Sequence, residues 1–567
     1  MGERVVSSRF RAGIAGVAGA VVAFGIAELV HGLLYESVPS VFVSLAQRVV
    51  ELTPGELVTR GIELLGMADI PVLITSMVIG ALVLAAFLAN LSLRHPLVAL
   101  AAVGFLGAVA VVATFAEPFV APAPTVITIA GALGSGCAVT GLLLSAAGLR
   151  AQRRSIPPPP PPPPPEAASP ARSSDAWSPV VRSREAHTTE EGTIVAVNRR
   201  NFLVLGASAL AAGLAAVGAG RVLAGRGGQV VASAPPEPLK LPKEGSLLKH
   251  HKTLPPPPEE ASIDAPGMPA LITPASSFYL IDTALTSPRI DLKRWKLSVK
   301  GAVDNPIELT YNDLLDMPTR EADITLSCVS NVVGGGLISN GRWTGVLLSE
   351  VLAEAGMSPE KITRSSAQIV GRSVDGWTSG FRTELALDGR EALIAFGLNG
   401  SELPLKHGYP VRLVIPGLYG YVSATKWLTE IELTDWDFDA YWIQRTWAKE
   451  GPIKTQSRID TLKSGEQLSA GKKKIAVGGV AWAPHRGIEG VEVSTDGGES
   501  WNEARLASQL DRDTWRQYVY DWEAAKPGEY TLKVRATDGE GQTQTADKAP
   551  PHPSGATGYH TISVTVA

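Results

Sequence analysis

The chain has 567 residues, a hydrophobic share of 45%, 19% charged residues and a net charge of −4. That is long enough for several domains. The slightly acidic balance and the lack of a basic stripe interleaved with aromatics exclude a nucleic-acid partner. Two cysteines in such a length neither demand nor exclude an oxidising compartment, since disulfides are optional in large domains.

The first 150 residues are apolar. Runs near 12–34, 70–91, 96–117 and 125–148 reach or approach the roughly 20 residues needed to cross a bilayer. Residues 36–66 are broken by Gln47, Arg48, Glu51, Pro54 and Glu56 and read as an amphipathic or re-entrant piece. Arg4, Arg9 and Arg11 precede the first run, Arg94 separates the second from the third, and Arg150, Arg153 and Arg154 follow the fourth. The loop from Glu117 to Pro124 has no basic residue, so the first residues and residue 150 are both expected inside. Glu28 and His31, three apart near the outer end of the first run, read either as side chains reaching the interface or as a quinone contact.

Residues 151–198 form a linker around the unbroken run Pro157 to Pro165, a stiff polyproline rod of about 28 Å at ~3.1 Å per residue. In 199–224, Arg199-Arg200-Asn201-Phe202-Leu203 heads an Ala/Gly-rich, weakly hydrophobic helix. Paired arginines there are either inside anchors or a twin-arginine-like export signal, and the composition favours the signal. No small-residue cleavage site stands out, so the helix is expected to remain as an anchor. Residues 225–275 form a second linker.

From 276 to 460 short strands alternate with helical pieces. Leu297 to Gly301 and Ile307 to Thr310 read as strands, Tyr311 to Met317 as a helix entry, and Trp343 to Ala355 as containing an amphipathic helix ended by Gly356. From 461 to 567 only strands and turn dipeptides remain, with Asp496-Gly497-Gly498 and Asp538-Gly539 between them, the pattern of an immunoglobulin-like sandwich.

Cys328 is the only cysteine beyond the apolar helices. It directly follows an alternating strand, Ala322 to Leu326 and Ser327, and precedes Gly334-Gly335-Gly336. Such a cysteine is either a small buried hydrophobe or a thiolate offered to a metal from a strand end. Zinc fits poorly, since no further Cys or His lies at ligand spacing. A lone soft thiolate suits a metal whose other ligands come from a cofactor.

The residues from Phe278 onward resemble the sulfite oxidase family of molybdopterin oxidoreductases. The likeness rests on Thr325-Leu326-Ser327-Cys328, Arg342-Trp343-Thr344-Gly345, His407-Gly408-Tyr409-Pro410-Val411-Arg412, Lys426-Trp427, Ile453-Lys454 with Ser457-Arg458-Ile459, and Val491 to Trp501. It implies a mixed α+β molybdopterin domain followed by a C-terminal immunoglobulin-like dimerisation domain, so that with the N-terminal transmembrane helical region read from hydropathy the fold class is α+β. It further implies a molybdenum-molybdopterin cofactor with Cys328 as metal ligand. His407, Arg412, Ser423, Thr425 and Lys426 would hold the pyranopterin phosphate. Arg342 is either a candidate on the catalytic side or a residue that fixes the start of the Trp343 helix, and Asp375 and Trp377 either line the substrate side or form, with Gly376, a hairpin turn with a packed Trp. The expected partners are a small-molecule substrate, the lipid bilayer and an electron carrier, quinone or cytochrome, with a homodimer through the C-terminal domain. The expected location is a bacterial cell membrane, multi-pass, with the catalytic domain outside.

The chain departs from the family where an arginine stands among residues matching Phe278 to Thr283 and basic residues follow the Cys-x-x-Asn element. Here those places hold Leu280, Ile281 and Asp282, then Val332 and Val333. This weakens sulfite as the substrate and puts a more neutral one, such as a sulfoxide or another oxygen acceptor or donor, on an equal footing. The rival reading is a non-catalytic exodomain that binds without turnover.

Overall fold

The computed structural model describes residues 2–34, 38–54, 57, 61, 69–117, 120–149, 199–232, 253–285, 287–288, 290–469, 474–523 and 526–567. The proline run and most of both linkers lie outside the described residues. The chain divides into two compact units, residues 1–30, 74–111 and 126–221, and residues 31–73, 112–125 and 222–567.

Five helices are long and apolar enough to cross a membrane: Ser8–Leu33, Val72–Ser92, Pro96–Phe115, Pro122–Ala146 and Phe202–Ala224. In the first unit they meet through small residues that let backbones approach. A Cβ on Gly16 would sit 2.3 Å from the Ala85 carbonyl oxygen, and one on Gly213 2.8 Å from that of Val21. Between the first two spans lies α1 (Val41–Leu52), an amphipathic helix capped by Ser40, whose side chain accepts from the Val43 N–H.

The second unit holds two β layers around a common core and then a β-rich C-terminal part. Strands β1 (Leu297–Gly301), β2 (Ile307–Leu309), β3 (Thr319–Ser327) and β4 (Ile338–Leu347) come first. They are followed by β5 (Gln368–Ser373), β6 (Thr378–Arg382), β7 (Leu393–Leu398), β8 (Ser401–Glu402), β9 (Arg412–Val414) and β10 (Leu428–Thr434). One sheet runs β2-β1-β10-β5-β6, parallel only between β1 and β10. The other runs β3-β4-β7-β8, with β9 also on β7.

The helix expected within Trp343 to Ala355 is present, and the residues just before it belong to a strand. Ile338–Leu347 is a strand between β3 and β7, buried on both faces. The helix begins only at Leu348 and runs to Glu354, and Gly356 follows at φ +82°, the left-handed conformation that ends many helices.

In the C-terminal part, β11 (Gln456–Ile459), β13 (Ile475–Trp482), β16 (Arg505–Leu506) and β17 (Arg516–Trp522) form one sheet. β12 (Glu466–Leu468), β14 (Ile488–Ser494), β15 (Asn502–Glu503), β18 (Gly528–Asp538) and β19 (His560–Val566) form the other. Val477 and Tyr518 of the first and Val493, Leu532 and Val564 of the second share one buried core.

Candidate active site

The β3–β4 connection sets the site. Cys328 is the residue after β3; its N–H donates to the Leu337 carbonyl at 2.9 Å, and its own carbonyl accepts from the Asn331 N–H at 3.1 Å. Asn331 then accepts the Leu337 N–H on its side-chain oxygen at 2.9 Å. The loop is closed on itself before it meets anything else. The thiol faces a pocket and is 8% exposed. Burial pushes its pKa up, only partly offset by hydrogen bonds from Ser330, so the free thiol keeps its proton at neutral pH. A metal cation is what would hold it as thiolate.

The same pocket is walled by Tyr279, Asp282, Asp375, Trp377, Arg412 and Lys426. Arg412 is 5% exposed, and the hydrogen bonds of its guanidinium run to main-chain carbonyls: His407 at 3.0 Å, Leu413 at 3.3 Å and Ala424 at 3.4 Å. It lies over the Trp343 ring at 5.1 Å. Burial lowers its pKa to about 10, against weak support from Tyr279 and Asp282. A buried guanidinium that pairs with no carboxylate among the described residues is a receptor for an anion.

Lys426 is differently placed. Its ammonium donates to the carbonyls of Ile281 and Lys406, both at 3.0 Å, and pairs with Asp282 at 3.1 Å. Burial drives Lys426 down and Asp282 up, and their mutual attraction offsets part of each.

His407 brings a carbonyl to Arg412 rather than a charge. Its Nε2 meets the Ala275 carbonyl at 3.2 Å, and burial, then Arg412 and Lys426, lower its pKa to about 4, leaving the ring neutral. Ser423 donates to Leu418 and Tyr419 carbonyls, and Thr425 bridges Ser379 at 2.6 Å and Gly371 at 3.3 Å. Both are fully buried and already bonded to protein. Asp375 and Trp377 stand in the β5–β6 turn, where Asp375 accepts the Trp377 N–H at 3.1 Å, and both also line the pocket.

Arg342 is not brought to the pocket. It pairs with Asp323 at 2.8 and 2.9 Å directly across the β3–β4 register and donates to the Pro255 carbonyl at 2.9 Å. Its catalytic candidacy therefore gives way to a structural ion pair.

Ser373 and Trp447, which the sequence did not single out, complete the lining beside Trp377, which it did. Ser373 Oγ, Trp377 Nε1 and Trp447 Nε1 line the pocket, are buried and have no hydrogen-bond partner among the described residues. Such buried unfilled donors are rare and ask for a ligand. Ser373 and Trp447 are 74 positions apart, so no local spacing could have joined them.

Comparison with known proteins agrees with this geometry. Residues 284–442 match the oxidoreductase molybdopterin binding domain and residues 449–549 the Mo-co oxidoreductase dimerisation domain. Mitochondrial sulfite oxidase of Mus musculus is 30% identical over 300 residues, covering 46% of this chain and 54% of that protein. The Homo sapiens protein is 29% identical over 312 residues, 47% and 56% respectively. The uncharacterized oxidoreductase YuiH of Bacillus subtilis (strain 168) is 31% identical over 170 residues, 30% of this chain and 79% of its own. The solved structure of the sulfane dehydrogenase SoxCD from Paracoccus pantotrophus aligns with 52% of this chain and 81% of its own at 24% identity, TM-score 0.45. The chain belongs to the sulfite oxidase-like molybdopterin-dependent oxidoreductases, and its cofactor is molybdenum-molybdopterin. It spans about half the length of the sulfite oxidases it matches.

The residues present fit that group. They offer one soft thiol, one buried guanidinium without a carboxylate, and three unfilled donors around a single pocket.

Proposed function

We propose that the protein is a membrane-anchored, extracytoplasmic molybdenum oxidoreductase that transfers an oxygen atom to or from a small sulfur compound. The observation that carries this is the pairing, in one pocket, of the strand-end thiol of Cys328 with the uncompensated guanidinium of Arg412. When bound, the cofactor supplies a centre able to exchange one oxygen atom and two electrons. The protein's part is to bind and orient. Cys328 gives the thiolate. Arg412 takes the anionic phosphate, its fork fixed by the carbonyls of His407, Leu413 and Ala424. Lys426 adds a point charge beside it, and buried Ser423 and Thr425 hold the chain on which both stand. Asp375 and Trp377 face the substrate.

Once phosphate occupies Arg412 and Asp282 holds Lys426, little positive charge remains for an oxyanion. That favours a neutral compound such as a sulfoxide over sulfite. Five apolar helices support membrane anchoring, and Arg199-Arg200 at the head of the last supports export of a folded domain through a twin-arginine-like signal. The C-terminal two-sheet part reads as the immunoglobulin-like dimerisation domain, and a quinone or cytochrome serves as electron carrier.

The test is elemental mass spectrometry of the full chain made in a molybdopterin-competent host, beside Cys328→Ser. Near one molybdenum per wild-type chain is expected, with turnover of sulfite or dimethyl sulfoxide lost in Cys328→Ser. Folded wild type without molybdenum overturns the reading.

A further inference from the structure

Part of the pocket wall is aromatic, and its rings touch one another. Tyr421, Trp442 and Trp447 all line the pocket. The Trp447 ring meets that of Tyr421 at 6.0 Å and that of Trp442 at 6.1 Å. The Tyr421 hydroxyl donates to the Ala448 carbonyl at 2.5 Å, so this residue contributes apolar surface to the wall. The Tyr441 N–H donates to the Thr378 hydroxyl at 3.0 Å. That bond sets the 441–447 segment beside the β5–β6 hairpin, whose Ser373 and Trp377 line the same pocket.

Trp447 is held firmly by its neighbours. Thr446, just before it, stands at φ +71°, a conformation that β-branched residues rarely adopt. The His552 Nε2 is 3.1 Å from both the hydroxyl and the carbonyl oxygen of Thr446, and the His552 ring meets that of Trp447 at 5.2 Å. On the other side the Ala448 N–H donates to the Pro553 carbonyl at 3.0 Å. A side chain fixed in this way can discriminate between ligands. Its Nε1 is nevertheless buried with no hydrogen-bond partner among the described residues, as are Ser373 Oγ and Trp377 Nε1. The charged residues of the lining are Asp282, Asp375, Arg412 and Lys426. Lys426 is paired with Asp282, and Arg412 is assigned to the phosphate. Arg445 lies over the Tyr441 ring at 3.7 Å, donates to the Tyr441 carbonyl at 2.8 Å and does not line the pocket. This wall therefore offers ring surface and neutral donors rather than positive charge.

We propose that Trp447, with Tyr421 and Trp442, forms a subsite for an organic substituent of the substrate, and that the Trp447 indole N–H meets an uncharged acceptor atom beside it. The substrate class is a neutral organic oxo compound, such as an aryl or bulky alkyl sulfoxide, or the corresponding sulfide, rather than an inorganic sulfur oxyanion. Burial of a ring against rings drives its binding, and one neutral hydrogen bond orients it. In the reducing direction a sulfoxide takes up two electrons and two protons and leaves as the sulfide and water, the electrons coming from the quinol or reduced cytochrome; oxidation runs the same balance in reverse. This rests on the molybdenum reading above and deepens it by assigning substrate selection to Trp447.

The test uses the full chain, loaded with molybdenum, in lipid nanodiscs. Calorimetry measures affinity for two non-reacting neutral probes, dimethyl sulfone and methyl phenyl sulfone. Wild type should bind the phenyl compound at least about tenfold more tightly, the gain expected when most of a ring leaves water. Trp447→Leu should bring that ratio close to one. Trp447→Phe keeps a ring and removes the N–H, so both sulfones should weaken together by about fivefold, the worth of one hydrogen bond, with the ratio kept. Molybdenum-loaded wild type that binds the two sulfones equally, or a ratio that Trp447→Leu leaves unmoved, overturns the subsite and leaves the molybdenum reading standing. Unchanged affinities in Trp447→Phe overturn the role of the N–H. Folded wild type without molybdenum overturns both the subsite and the reading beneath it.

Discussion

Arg412→Met separates binding from folding. At 5% exposure the guanidinium has its pKa lowered by burial to about 10, a depression worth about 3 kcal/mol at ~1.4 kcal/mol per pH unit. The sign follows from the base being depressed: the unfolded chain holds the proton more tightly, so the burden on folding is fully present at every pH below about 10. Against it stand three hydrogen bonds to carbonyls, about 1 kcal/mol each. The two nearly cancel. Methionine, which fills similar space without charge, should change the stability of cofactor-free protein by no more than about 1 kcal/mol, whereas removing one member of a buried ion pair costs about 3–5 kcal/mol. Molybdenum loading should fall by at least about tenfold, the loss of one charge-assisted phosphate contact. The assay pairs a tryptophan-fluorescence melt of the cofactor-free chain with elemental analysis of the loaded one. A stability loss of about 3 kcal/mol or more, or full molybdenum content, refutes the reasoning.

Other expectations follow from the same geometry. With its pKa lowered to about 4, His407 stays neutral in the fold while the unfolded chain takes up its proton, so stability should drop by about 3 kcal/mol as pH falls from 6.5 towards 4. His407→Gln should flatten that part of the melting-temperature profile. Gly334 sits at φ +77°, and a Cβ there would meet the His560 ring at 2.2 Å; Gly334→Ala should cost at least about 2 kcal/mol in a thermal melt, and an unchanged melt would count against it. Arg342→Met should lower the melting temperature by leaving buried Asp323 unpaired, with kcat/KM unchanged because the pair lies away from the pocket. A tenfold fall in kcat/KM would restore Arg342 to the catalytic side.

What the sequence made legible was local. The strand before Cys328, the β5–β6 turn at Asp375-Gly376-Trp377 and the glycine ending the helix after β4 are each written within a few residues. What it concealed was pairing across the chain. Arg342 stood in a family-like motif, and only the register opposite Asp323 explains why it is charged. The strand at residues 338–347 was hidden because Ser339, Asn340, Gly341, Arg342, Thr344 and Gly345 interrupt its apolar residues, so neither alternation nor an apolar run marks it although it is buried on both faces. The unfilled donors of Ser373 and Trp447 converge only after the sheets close.

The loop that carries Cys328 is braced from the C-terminal part as well as from its own hairpin. The Thr325 N–H donates to the Asp513 carbonyl at 2.9 Å, and its hydroxyl accepts the Trp515 N–H at 2.8 Å. Arg458 donates to the Gly335 carbonyl at 2.7 Å, and the His560 ring fills the space that a side chain on Gly334 would need. A metal ligand is useful only if its position is fixed by groups that do not move when the metal leaves. Here those groups come from both halves of the second unit. The bare glycine cluster after Cys328 thus has a packing reason: it lets the partner strands come close enough to hold the thiol's loop from outside. A domain whose matched family description concerns dimerisation therefore also bears on the geometry of the pocket within a single chain.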